Sequence, residues 1–234
     1  MSKVAILQSN YIPWKGYFDL INSVDYFVIY DSMQYTRRDW RNRNKIQTTT
    51  GLKWLSIPVI TKNKFHQSIF DTKVENKNWA QTHWETIKRN YAKATYFKEY
   101  KELFEELYLN SNEDFLSDIN YKFLKTINDI LGIKTKILFS NEFKLAEGKS
   151  ERLLAICKDL NARTYFSGPA AKDYLNENLF KEEKIEVNWM DYSNYKPYPQ
   201  VFTPFNHFVS ILDLIFNMGE NSNLYMKSFK DKNE

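Results

Sequence analysis

Five basic residues, Arg37, Arg38, Arg41, Arg43 and Lys45, crowd around Trp40. Arginine grips phosphate oxygens in a two-pronged fashion, and an aromatic face stacks a base or a sugar. The stretch Tyr35 to Lys45 therefore reads as a clamp for the diphosphate of a nucleotide-linked sugar, with Arg37, Trp40 and Arg43 as its contacts. A solvated basic loop and an RNA contact are the other readings of the same residues. A second set is Gln8, Asn10, Asp31 and Gln34. These orient a ligand by hydrogen bonds, and Asp31 has the chemistry of a general base or of a holder of metal-bound water. Turn capping is the plain alternative for Asn and Asp. His83 shares one helix face with Trp79 and Ile87, and Asn90 continues it. Histidine moves protons near neutral pH, whereas a packed structural histidine is the other reading. Ser167-Gly168, after a short apolar run, lets backbone N–H groups approach an anion; a simple turn competes with that reading.

These residues need elements to hold them. Lys3–Gln8 reads as a buried strand, because Val4, Ala5, Ile6 and Leu7 run without alternation. Ser9 to Gly16 is a loop, Tyr17–Asn22 a short helix, and Asp25–Tyr30 a second apolar strand. Strand, helix and strand in so short a span form a βαβ unit with a parallel pair. Ligands bind beyond the carboxyl ends of such strands, where Gln8 to Asn10 and Asp31 to Arg43 fall. Further strands are expected at Leu52–Ile60, Thr135–Ser140, Thr164–Phe166 and Ile185–Met190. Helices are expected at Trp79–Tyr91, Phe97–Leu109 and Phe115–Leu131, with Gly132 as a C-cap. A later helix should begin at Ser150 as a capping residue, and a last one should run from about Pro204 to Met218. The fold class is α/β: one domain over 1–234 with a mostly parallel Rossmann-like sheet and a helical insertion at about 93–132. The tail Lys227 to Glu234 is expected to fray.

Composition narrows the partners. The chain has 234 residues, a net charge of +4, 43% hydrophobic and 17% aromatic content. Such a chain buries a full core, and so mild an excess of charge suits a phosphorylated small molecule better than nucleic acid. No stretch is long and apolar enough to span a membrane, and the N-terminus lacks a signal-peptide pattern, so a cytoplasmic location is expected. The single cysteine, Cys157, lies in an apolar periodic run and reads as a core thiol. Walker, Gly-x-Gly-x-x-Gly and zinc-ligand spacings are absent from the sequence, and no metal ligand set is assigned.

The stretches Gln8 to Phe18, Asp31 to Tyr35 and Arg37 to Ile46 closely resemble the WbqC-like family. Trp79 with His83, Asn90-Tyr91, Ser167-Gly168, Tyr198-Pro199-Gln200 and Ser210 to Leu214 extend the resemblance over nearly the whole chain. It implies a part in O-antigen or related surface-polysaccharide synthesis. It also brings Tyr17, Gln34, Tyr35, Asn90 and Gln200 into the candidate binding set beside Gln8, Asn10, Arg37, Trp40, Arg43, Ser167 and Gly168. The expected reaction is N-acyl transfer to an amino sugar on a nucleotide, with His83 or Asp31 taking the proton and acyl-coenzyme A or another acyl donor as co-substrate. Nucleotidyl or adenylyl transfer, and a non-catalytic scaffold in a polysaccharide assembly complex, remain the alternatives.

Overall fold

The computed structural model describes residues 2–229. Five strands form one parallel sheet: β1 (Ser2–Leu7), β2 (Tyr26–Ile29), β5 (Lys136–Phe139), β6 (Ala162–Ser167) and β7 (Glu186–Trp189), in the order β5-β2-β1-β6-β7. β1 is central, which explains its unbroken apolar run. Ala5, Phe27 and Ile29 enter the core on one face; Val4, Ile6, Val28 and Tyr165 enter a second core on the other.

The helices divide between the two faces. On the first lie α1 (Lys15–Asn22), α2 (Asn78–Tyr91), α3 (Phe97–Leu109), α4 (Leu116–Leu131) and α7 (Ile211–Met218). On the second lie α5 (Lys149–Asp159) and α6 (Glu177–Glu182), through Leu153, Ile156, Cys157 and Phe180. The chain leaves β1 through α1 to reach β2 on one side. It leaves β5 through α5, on the opposite face, to reach β6 on the other side of β1. The winding therefore reverses between β1 and β6, and a crevice opens beyond their carboxyl ends. Among the described residues no helix is long and apolar enough to cross a membrane.

Most expected elements are present within a residue or two, including the left-handed Gly132 that ends α4 at φ 71°. Four differ. Arg43–Thr48 is a strand, β3, paired antiparallel with β4 (Gly51–Ser56). The last helix starts at Ile211, not near Pro204, because Ser210 supplies the cap: its Oγ accepts from Leu212 N at 3.3 Å. Ser150 lies inside α5, and its buried Oγ accepts the Asn176 N–H at 3.0 Å instead of capping the helix. Lys227 and Ser228 do not fray: their N–H groups both donate to the buried Asp19 carboxylate at 3.0 Å. The rest of that tail, 230–234, lies outside the described residues.

Candidate functional site

A cavity of about 380 Å³ occupies the crevice between β1 and β6. Gln8 follows β1, Tyr30 and Met33 follow β2, and Ser167-Gly168 closes β6. Arg41, Lys149 and Arg152 bring three cationic side chains to its wall, and Tyr174 stands 52% exposed at its edge. Lys149 and Arg152 sit in the first turn of α5, where the helix dipole disfavours positive charge. Gly148 opens that helix at φ 92°, and a Cβ there would run into the Glu151 carboxylate. The N-terminus of α5 and the Ser167-Gly168 loop thus converge with three cations at one strand-end cavity. That arrangement is suited to a phosphorylated ligand.

Arg41 is held by the segment after β1. Its guanidinium donates to Asn10 Oδ1 and to Gln8 Oε1, the latter at 3.2 Å. Tyr17 of α1 donates to the Gln8 carbonyl at 3.0 Å. Beneath this lies Asp31, fully buried at the end of β2. It accepts from Ser9 N at 2.8 Å, from Ser9 Oγ at 2.6 Å and from Ser117 Oγ at 2.6 Å. Asn120 of α4 donates to Ser9 Oγ and to the Arg41 carbonyl, each at 2.9 Å. Burial raises the Asp31 pKa, opposed by these donors. The carboxylate is fully engaged in holding the site-forming loop in place.

A second, smaller cavity of about 170 Å³ adjoins, lined by Asn10, Pro13, Trp14, Trp40, Asn44 and Phe208. Arg41 joins the two, since Gln8 faces the larger and Asn10 the smaller.

The basic segment is not one clamp. Arg43 lies over the Trp54 ring at 4.1 Å and donates to the Arg38 carbonyl; Lys45 also lies over Trp54, at 4.7 Å. Arg37 donates to the Thr61 carbonyl at 3.2 Å, in a separate depression shared with Gln34, Tyr35, Lys64 and Phe65. Gln34 is tied to the Phe65 carbonyl at 2.8 Å, and Tyr35 N to the Gln67 carbonyl at 2.9 Å. The structure brings Gln8, Arg41, Ser167 and Gly168 together, with Asn10 and Trp40 next to them; Arg37, Gln34 and Tyr35 stand apart.

Three candidates are committed to packing. His83 is 5% exposed between Trp79 and Tyr11, with Nδ1 3.0 Å from the Tyr11 hydroxyl, which in turn bonds Tyr108 at 2.8 Å. Burial lowers its pKa to about 4, against a backbone hydrogen bond to Ser56 that raises it. Asn90 donates back to the Thr86 carbonyl at 2.8 Å. Gln200 donates to Asp213 at 2.8 Å, and Asp213 also accepts from Tyr91 and Tyr198, each at 2.8 Å. Because His83 titrates lower when folded than its ordinary 6.5, the unfolded chain binds the extra proton between about pH 4 and 6.5. Stability should therefore fall, on the order of 2 kcal/mol, as pH drops through that window. Urea titrations at pH 7 and pH 4.5 should show His83→Gln lacking that component.

Lys149, Arg152, Tyr30, Tyr174 and Phe208 were not foreseen from the sequence. Cations in the first turn of a helix were the available signal for Lys149 and Arg152.

The WbqC-like protein family model matches residues 8–225. An uncharacterized protein of Mycobacterium tuberculosis, Rv1507c, is 47% identical over 227 residues, covering 97% of this chain and 98% of its own. No solved structure matches. With the match running from Gln8 at the end of β1 to Tyr225 beyond α7, this chain belongs to the WbqC-like protein family.

Proposed function

We propose that the chain binds a nucleotide-linked sugar with its diphosphate in the switch-point cavity, and acts as a sugar-modifying transferase of surface-polysaccharide synthesis. The observation that carries the binding is the convergence of Arg41, Lys149 and Arg152 on a cavity at the ends of β1 and β6. Tyr174 at the rim offers a ring face for the base. N-acyl transfer to an amino sugar is the reaction to assay first, following the family resemblance. In that reading Asp31 and His83 are positioning residues: Asp31 fixes Ser9, and His83 fixes Tyr11.

Melting temperatures measured with UDP- and dTDP-linked amino sugars, ATP and acyl-coenzyme A test it. A sugar nucleotide at a hundred times its Kd should raise the melting temperature by about 5–10 °C. Arg152→Ala should abolish most of that shift. A shift with ATP alone would favour nucleotidyl transfer. No shift in a folded protein would favour the scaffold reading.

A further inference from the structure

Large aromatic side chains usually leave water, yet Phe208 is 68% exposed and Trp40 41% exposed. Both line the small cavity, and they come from distant parts of the chain. The third ring, Trp14, is set by its neighbours. It lies against Gly16, where any Cβ would run into the indole, and against Tyr192 at 5.2 Å between ring centres. Phe208 faces Trp14 at 6.2 Å, tilted by 36°. The cavity thus has apolar ring faces on several sides and an amide at its edge.

That amide is Asn10. Its Oδ1 accepts from Arg41, and among the described residues its Nδ2 has no protein partner. Asn44 is different: its amide donates to the Tyr11 and Ile12 carbonyls at 3.1 and 2.8 Å, so it shapes the wall. Ring faces beside a free amide donor and a guanidinium match a pyranose, which presents C–H groups on its faces and hydroxyls at its edge.

We infer that this aromatic cavity is a carbohydrate subsite, holding the sugar ring of the ligand whose phosphates occupy the larger cavity. The inference rests on the phosphate reading of that larger cavity. Arg41 stands at the junction, bonded to Gln8 on one side and Asn10 on the other. A diphosphate beside Arg41 and Arg152 therefore places its glycosyl end toward Trp14, Trp40 and Phe208. The volumes agree with the division, about 170 Å³ for one ring and about 380 Å³ for the nucleotide end.

The test compares UDP with UDP-N-acetylglucosamine, and dTDP with a dTDP-linked amino sugar, by calorimetric titration of wild type, Phe208→Ala, Trp40→Ala and Trp40→Tyr. Phe208 and Trp40 are exposed enough for the alanine variants to fold, and their melting temperatures check it. Phe208→Ala and Trp40→Ala should each weaken the sugar conjugate about 10-fold and leave the bare diphosphate unchanged. Trp40→Tyr, which keeps a ring, should restore most of the loss. Equal losses for conjugate and bare diphosphate would overturn the inference, because the base would then sit there. Unchanged conjugate binding in both alanine variants, with Arg152→Ala still losing both ligands, would overturn the sugar subsite and spare the phosphate site. No binding of either ligand to wild type would remove both.

Discussion

Asp31→Ala should destabilise the protein by about 3 kcal/mol, seen as a fall in melting temperature of about 6–12 °C. Three donors converge on this carboxylate: Ser9 N–H, Ser9 Oγ–H and Ser117 Oγ–H. All are buried, so truncation strands them without water as a substitute. Asn120 then loses the fixed Ser9 hydroxyl it donates to. Asp31→Asn keeps the volume and one acceptor oxygen, and the two serine hydroxyls can rotate, so the loss should be about half as large. A general base would behave differently: Asp31→Asn would abolish turnover with stability nearly unchanged. Denaturation curves and sugar-nucleotide affinity, measured together on both variants, separate these roles. Loss of stability and affinity in parallel, larger for alanine, is the expected outcome.

The second large effect concerns Arg41 and Arg152. Arg152→Ala should weaken a nucleoside diphosphate by about 10- to 100-fold, the effect of one charge-assisted contact, with little change in stability. Arg152 is only partly buried, and its Nε bonds the Ala146 carbonyl at 3.0 Å near the start of α5. Arg41→Ala should lose at least as much affinity, and it should also release Gln8 and Asn10, whose side-chain oxygens accept from its guanidinium. By contrast, Arg37→Ala and Arg43→Ala should leave diphosphate affinity within about 2-fold, because neither lines the cavity. Equilibrium titrations of the four variants check the contrast. A loss with Arg37 or Arg43 equal to that with Arg152 would return the phosphate to the basic loop.

The sheet was legible because β1 and β2 carry their apolar residues without alternation, as strands buried on both faces must. The first strand of the hairpin was not. β3 reads Arg43-Asn44-Lys45-Ile46-Gln47-Thr48, a polar string typical of a loop. It holds as a strand through its partner: Lys45 pairs across the ladder with Trp54, and both Lys45 and Arg43 lay their cations on that indole. That contact also explains why the basic segment does not converge as one clamp. Its arginines share a stretch of sequence but not a direction. Arg41 turns inward because Asn120 holds its carbonyl and Gln8 and Asn10 hold its guanidinium.

The strand-end rule at Gln8 and Asn10, with the small loop Ser167-Gly168, accounts for half of the candidate site's lining. The other half depends on which strand lies beside β1. Only the order β5-β2-β1-β6-β7 places the first turn of α5 next to Gln8, and local spacing carries no record of that order. His83 lies away from both cavities for a related reason. Its helix face, shared with Trp79, packs on Tyr11 in the core and lines neither cavity.

The most direct measurement is a crystal structure of the full chain with the nucleotide-linked amino sugar that raises its melting temperature. The diphosphate is expected beside Arg41 and Arg152 at the ends of β1 and β6. Phosphates against Arg37 or Arg43, with the switch-point cavity empty, would contradict it.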